Sequence, residues 1–435
     1  MAVKRTPEQE EVVKNRGGAL LVSAAAGSGK TRVLVERLMD YILQEGRNID
    51  EFLIITFTRA AAEELRARIA KEIAEALAAQ PDHAHLRQQT VRLYETQIST
   101  IHAFCTVLLR QWGHLLDIPG DFALCEDEEA QVLMTRTLNQ VLEARYEEID
   151  PTGPFARLLD VLSKGRDDSR LLEITLDIYG KIQSYPDPLA WLASQREALD
   201  LSAVTDVGQT PWGSLLLEEA GQTAAYWADQ MARACDLAQK EAGLEKAYGD
   251  SLQATRRSLE AFVQAAGTSW DEAARVEIVF PKLKAARGVE DPALQEQIKS
   301  IRARCKKAVE ELTQTVSGPS APLLADMALV YPAMLGLLDL VEDFSRAYET
   351  AKKQRSLLDF SDLEHLAVRL LVDEAGGPTP LARQWGARYT EIMVDEYQDT
   401  NQVQNTIFQA VSQEGRNLFM VGDVKQSIYR FRLAD

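Results

Sequence analysis

Two short motifs, separated by most of the chain, constrain the fold more than anything else in the sequence. The first is Ala24-Ala25-Ala26-Gly27-Ser28-Gly29-Lys30-Thr31, set between an apolar run, Ala19 to Ser23, and an amphipathic stretch, Thr31 to Gln44. A phosphate chain needs converging backbone N–H donors at a helix N-terminus and glycines where the main chain approaches it closely. Lys30 supplies positive charge for β- and γ-phosphates, and the Thr31 hydroxyl can hold Mg²⁺. The second motif lies some 365 residues further on, where Ile392-Met393-Val394 runs into Asp395 and Glu396. It places two carboxylates at the C-terminal end of a buried strand, where α/β sheets put their sites. Asp395 would bind Mg²⁺ directly or through water, and Glu396 would orient and deprotonate an attacking water. Each motif also has a plainer reading: a flexible turn before a helix, and an acidic helix start favoured by the macrodipole. Ala24 also stands where the literal phosphate-loop pattern has glycine. Taken together, however, the two motifs describe one site, so one sheet must collect segments from both ends of the chain.

The texture between them agrees. Ala19 to Ser23, Phe52 to Phe57 and, more weakly, Gln97 to Thr100 suit buried strands, and they alternate with amphipathic helices at Thr31 to Gln44 and Ala60 to Ala79. From about Trp112 to Leu358 long Leu, Ala, Glu, Gln and Arg segments predict about 250 mostly helical residues with no fixed-period repeat. Ser361 with Glu364 reads as a capping box opening the next helix. Strand texture returns at Tyr389 to Val394 and Asn417 to Val421. The expected fold class is α/β: a parallel sheet with helices on both faces, interrupted by a large, mostly α-helical inserted domain. The expected boundaries are 1–112 and 359–435 for the sheet domain and 113–358 for the insertion, since long structureless loops are uncommon in compact domains.

The net charge of −18 looks hostile to a nucleic-acid partner, but the acidity is local. Residues 1–110 hold 15 Lys and Arg against 14 Asp and Glu, leaving a balance of −19 for the remainder. The four cysteines, Cys105, Cys125, Cys235 and Cys305, are far apart and form no C-x-x-C pair, which argues against a zinc site or a disulfide framework. The amino terminus lacks the apolar core of a secretory signal, and no apolar run looks long enough to span a membrane. The expectation is a cytoplasmic protein with no membrane contact.

A third cluster runs from Val421 to Arg432, where Gln426 can hydrogen-bond a phosphate oxygen and Tyr429 and Phe431 alternate with Arg430 and Arg432. An ordinary strand-to-helix turn with core aromatics would read the same way. The set AAAGSGKT, ITFTRAAAEELRARI, STIHAFC, VDEYQDTNQVQ and VGDVKQSIYRFRLAD resembles, in that order, motifs I, Ia, Ib, II and III of UvrD/Rep-type superfamily 1 DNA helicases. The ending FRLAD, the segment LLDFSDLEHLA and the long helical insertion are most similar to the AddA subunits of bacterial AddAB helicase-nucleases. The motifs cover about 90 residues.

The resemblance implies a RecA-like P-loop NTPase fold, ATP with Mg²⁺ as cofactor, and particular roles. Gln9 would read adenine, although a Thr6 to Gln9 capping box explains it equally. Ala24 to Thr31 with Arg32 would surround the nucleotide, with Lys30, Asp395, Glu396 and Gln426 as the catalytic groups and Thr31, Asp395 and Glu396 at the metal. Thr58, Arg59, Thr100, His102, Phe104, Tyr429, Arg430 and Phe431 would face single-stranded DNA, and Gln398 and Asp399 would couple the two sites. The implied parent activity is 3′–5′ translocation on single strands and, with an AddB-like nuclease subunit, processing of duplex DNA ends for recombinational repair. The chain is expected to be an N-terminal portion that binds MgATP but hydrolyses it poorly, because arginine fingers come from a second motor domain and nuclease carboxylates from a C-terminal one. The alternatives are a UvrD- or PcrA-like repair helicase without nuclease, a non-motor P-loop binding module or kinase, and a scaffold with a degenerate nucleotide fold.

Overall fold

The computed structural model describes residues 5–25, 27, 29–162, 167–423 and 425. Among the described residues seven strands are present: β1 (Leu20–Ser23), β2 (Phe52–Thr56), β3 (Gln97–Thr100), β4 (Ala123–Leu124), β5 (Leu357–Leu358), β6 (Glu391–Val394) and β7 (Leu418–Gly422). β4 and β5 pair only with each other; the other five form one sheet in the order β1-β7-β6-β2-β3. Every pairing in it is parallel, with Leu20 opposite Phe419, Met393 opposite Phe419, Ile54 opposite Met393 and Ile54 opposite Ile98. The first three strands therefore leave a two-strand gap between β1 and β2, and 391–394 with 418–422 fill it. The sheet is incomplete until the far end of the chain arrives.

Each central strand is buried along its whole length, whereas the edge strands β1 and β3 alternate. Strands covered on both faces read as continuous apolar runs, which is why FLIIT and LFMVG stand out in the sequence. Ile392 and Val394 face a core with Phe104, Leu108, Leu363 and Ile407, while Met393 faces the opposite core with Leu34, Leu38, Leu65 and Ile69. Helices α1 (Pro7–Lys14), α2 (Lys30–Gln44), α3 (Arg59–Ala79), α4 (Ala84–Arg92) and α5 (Ile101–Trp112) occupy the first part of the chain. Because the strands are parallel, Ser23, Thr56, Thr100, Val394 and Gly422 all end on the same edge of the sheet.

Two compact units result, one of 5–149, 162–192 and 339–425 and one of 150–161 and 193–338, each restricted to its described residues. The sheet unit thus takes in 113–149, 162–192 and 339–358, which the sequence pattern places in the insertion. In the helical unit, Pro211–Ala238, Ala242–Ala266 and Pro292–Thr315 pack around one apolar core. Ala220, Ala224, Ala228, Ala234 and Ala238 line the buried face of the first of these helices. Small side chains on one face let helix backbones approach closely.

Two local expectations need correction. The helix Phe360–Leu371 is opened by Asp359 with Asp362, not by Ser361 with Glu364, because the Asp359 side chain accepts the Asp362 N–H while Asp362 accepts the Asp359 N–H, both at 2.9 Å. The helix Ser320–Lys353, with Pro332 inside it, is long and apolar enough to cross a membrane by length and composition, contrary to the expectation from its sequence. Only 33% of its most apolar window is buried. One such helix is weak evidence for a membrane, since the core helix of a water-soluble protein has the same length and composition. The four cysteines are free and buried.

Candidate functional site

The loop after β1 is anchored by the Ala24 N–H, which donates to the Gly422 carbonyl at 3.0 Å and so ties it to the end of β7. Gly27 and Gly29 both lie in left-handed backbone, at φ of 73° and 86°. Residues with a Cβ rarely adopt that conformation, so the loop path depends on glycine at both positions. Gly29 is the N-cap of α2 and provides no side-chain cap, leaving the first turn as an N–H-rich helix start. Lys30 opens the helix and is half-buried. The expected loop members Ala26 and Ser28 lie outside the described residues.

Across the sheet edge, the Asp395 N–H continues the β6–β2 ladder by donating to the Ile55 carbonyl at 2.9 Å. Its carboxylate accepts from the Thr31 hydroxyl at 3.2 Å, joining residues 364 positions apart. Glu396 then takes left-handed backbone at φ 56°, and its N–H donates to the Asp395 carboxylate at 3.0 Å. That kink turns the chain away from the strand and leaves Glu396 exposed beside Asp395. Burial pushes the Asp395 carboxyl up, opposed by the Glu396 N–H, the Thr31 hydroxyl and Lys30. Desolvation and the carboxylates of Asp395 and Asp399 push Glu396 up as well, with Lys30 pulling the other way.

The donor set suits Mg²⁺ held with a nucleotide. No group of three or more His, Cys, Asp and Glu able to hold a metal occurs among the described residues. Mg²⁺ typically needs only one or two carboxylates, the remaining positions going to phosphate and water, and the touching oxygens of Thr31 and Asp395 are of that kind.

Gln398 is buried at the turn after Glu396. Its side-chain oxygen Oε1 accepts the Asp423 N–H at 2.9 Å and its side-chain Nε2 donates to the Asp399 carboxylate at 3.1 Å. A Cβ on Gly422 would sit 3.0 Å from the Gln398 side-chain Oε1, so that glycine makes room for the link. Gln9 shares a reciprocal cap with Thr6, and its amide nitrogen lies 3.8 Å from where a Gly29 Cβ would be. Arg32 pairs with Glu36 at 2.6 Å.

The expected DNA-facing residues divide. Thr58 caps α3 by accepting the Ala61 N–H at 3.1 Å, and Arg59 beside it is exposed. Thr100 caps α5 by accepting the Ala103 N–H at 3.3 Å. His102 is half-buried, its Nε2 3.0 Å from the Glu364 carboxylate. Phe104 must be corrected: it is wholly buried, edge-on to Trp385 at 5.6 Å, and presents no surface to a strand. It points inward because α5 packs that face on the sheet. Gln426, Tyr429, Arg430 and Phe431 lie outside the described residues.

Arg37 carries no motif that marks it in the sequence. It lies almost wholly buried on α2 and holds Glu391, the first residue of β6, through two hydrogen bonds of 2.8 and 2.6 Å. Tyr41 donates to the same carboxylate at 3.0 Å, and Arg37 also reaches the Val12 carbonyl on α1 at 2.5 Å. One guanidinium thus binds the helix carrying Gln9, the helix carrying Lys30 and the strand leading to Asp395. The only available signal was an arginine on the apolar face of a helix, four residues from both Val33 and Tyr41.

With the parallel sheet, the loop after β1 and the carboxylates after β6 in place, the chain belongs to the UvrD/REP helicase N-terminal domain family, whose pattern matches residues 5–435. It is 38% identical, over 99% of its length, to the A subunit of the ATP-dependent helicase/nuclease of Heliobacterium modesticaldum. The proteins of that name from Lachnoclostridium phytofermentans and Geobacillus thermodenitrificans are 37% and 38% identical, each again over 99% of this chain. The chain spans only 32% to 36% of the length of these three relatives.

Proposed function

We propose that this chain is the ATP-binding motor portion of an ATP-dependent 3′–5′ DNA helicase/nuclease that moves on single-stranded DNA and processes double-strand breaks in the cytoplasm. On this reading the sheet unit is a RecA-like P-loop motor domain, and the helical unit is an accessory domain inserted into it. The carrying observation is the 3.2 Å contact between the Thr31 hydroxyl and the Asp395 carboxylate, which unites two motifs from opposite ends of the chain.

The N–H groups of the loop and of the α2 start receive the phosphates, and Lys30 neutralises their charge. Thr31 and Asp395 hold Mg²⁺, which when bound supplies Lewis-acid stabilisation of charge on the phosphate oxygens. Glu396, exposed beside them, orients water and takes its proton; a carboxyl pushed up toward neutrality is a better base for that step. Gln398 and Asp399 carry movement at this turn to the end of β7, and Gln426 senses the terminal phosphate. Thr58, Arg59, Thr100 and His102, with Tyr429, Arg430 and Phe431, track the strand. Duplex DNA ends and an AddB-like nuclease partner belong to the whole protein, a reading that rests on the names of the relatives.

The test is a titration of the chain with a fluorescent ATP analogue and Mg²⁺ beside Lys30→Ala and Glu396→Gln. Saturable binding, weakened at least tenfold by Lys30→Ala and retained by Glu396→Gln, is expected. Equal binding by all three proteins would exclude the site.

A further inference from the structure

Glu364 has no role in the scheme above, yet its surroundings are those of a functional group rather than a surface charge. It lies one turn into the helix Phe360–Leu371 and is 5% exposed. A buried carboxylate is costly unless hydrogen-bonded, so its partners matter. They come from two other segments. His102 Nε2 approaches the Glu364 carboxylate at 3.0 Å, and the Gln404 amide donates to the same oxygen at 2.7 Å.

Each partner sits beside one of the two sites proposed above. His102 lies in the first turn of α5, two residues after the capping Thr100, with its ring 4.9 Å from that of Phe360. Gln404 lies in the first turn of Gln402–Val411, the helix that follows the Asp395–Glu396 turn, and its N–H is held by Asn401 at 2.9 Å. Both partners line one cavity of about 440 Å³, whose walls also include Glu364, Asp395, Glu396 and Asn401.

We infer that Glu364 is a positioning residue that couples the nucleotide site to the DNA-facing start of α5, with His102 and Gln404 as its two arms. The inference rests on the reading of those sites under Proposed function. One oxygen serves both arms, so a shift of the catalytic turn that moves Gln404 alters the hold on His102, and strand binding at His102 is felt in return. Such coupling must be reciprocal for the two binding equilibria. Nucleotide affinity alone does not depend on it.

The test compares the affinity of a fluorescent oligodeoxythymidylate for the full chain with and without a non-hydrolysable ATP analogue and Mg²⁺, in the unaltered protein, Glu364→Gln and Gln404→Leu. In the unaltered chain the nucleotide is expected to change oligonucleotide affinity by at least about fivefold, the lower end of ordinary allosteric coupling. In both variants that ratio is expected to fall below about twofold, while nucleotide affinity alone stays within about threefold. These thresholds are set against the same coupling range. Should Glu364→Gln fail to fold, Gln404→Leu decides alone, since it removes one arm and leaves the carboxylate with His102. A ratio unchanged in the folded variants overturns the inference and leaves the site reading intact. An unaltered chain that binds no oligonucleotide overturns that reading, and this inference with it.

Discussion

In the sheet unit one of the largest buried side chains is a cation, Arg37, clamped to Glu391, whereas the buried face of the helix Pro211–Ala238 in the other unit is built largely of alanines. Both regions solve the same problem of bringing distant segments together, but under different demands. Around Arg37 the segments are α1, α2 and β6, and the residues they carry must meet in one register for Thr31 to touch Asp395. Packed alanines ask only that helix backbones come close. Directional hydrogen bonds specify relative position; dispersion and apolar burial reward proximity without choosing one register so sharply.

Breaking the clamp should have the largest effect. Arg37→Ala leaves Glu391 buried without its cation and is expected to destabilise the chain by about 3–5 kcal/mol. The paired change Arg37→Met with Glu391→Leu should recover most of that stability, because replacing both ions removes the desolvation cost. If the clamp sets register, the recovered protein will still bind the ATP analogue poorly. Urea unfolding together with nucleotide titration separates stability from register, and a doubly substituted protein with native nucleotide affinity would abolish the contrast between the units.

On the other side of the comparison, Ala224→Leu forces a larger side chain into the closed helix face and should cost about 1–3 kcal/mol, with nucleotide affinity unchanged. Loss of nucleotide binding in a still-folded Ala224→Leu protein would contradict that expectation.

The helical unit does contain one polar hub. Asp206 accepts the Gly208 and Trp270 N–H groups at 2.9 Å and that of Asp271 at 3.0 Å. Burial raises its carboxyl, but the N–H groups of Asp271, Trp270 and Gly208 outweigh it and hold the group below the ordinary aspartate range. A depressed carboxyl adds stability that is complete above the unfolded value and lost as pH falls through the folded one. Asp206→Ala should therefore cost about 1–3 kcal/mol near neutrality and flatten the decline in stability below about pH 4. A stability–pH curve of unaltered slope would remove Asp206 as the cause.

Tyr41→Phe should be the mildest change, about 0.5–1.5 kcal/mol for one hydroxyl to Glu391. Burial, followed by the Glu391 carboxylate, pushes the Tyr41 hydroxyl up to about 12 from 10.0. With the folded value above the unfolded one, stability is intact below pH 10 and declines as pH rises from 10.0 toward about 12. The variant should lose stability less steeply across that window in alkaline denaturation.

Much of the sheet unit was legible because its signals are local. The continuous apolar runs of β2 and β7 reflect burial on both faces, and the glycines of the loop mark positions where a Cβ would be strained. Ser361 and Glu364 misled because the spacing of a capping box leaves open which aspartate or serine reaches the free N–H groups, and Asp359 does so here. Glu364 is instead held by His102 and Gln404, which no periodicity in its own helix can announce. Phe104 was misassigned for a related reason: its motif marks a segment near the surface, but the face of α5 it occupies points into the core.

The sequence by itself determined the family, the alternating strands and helices, the glycines of the loop after β1 and the carboxylate pair, since each is written in short local motifs. Only the tertiary structure decided that β6 and β7 enter between β1 and β2, that Arg37 closes on Glu391, and that the Thr31 hydroxyl donates directly to the Asp395 carboxylate. Those contacts join residues more than 350 positions apart. Their geometry is set by the packing of two helical layers on a completed sheet, and that information is not held in any one segment.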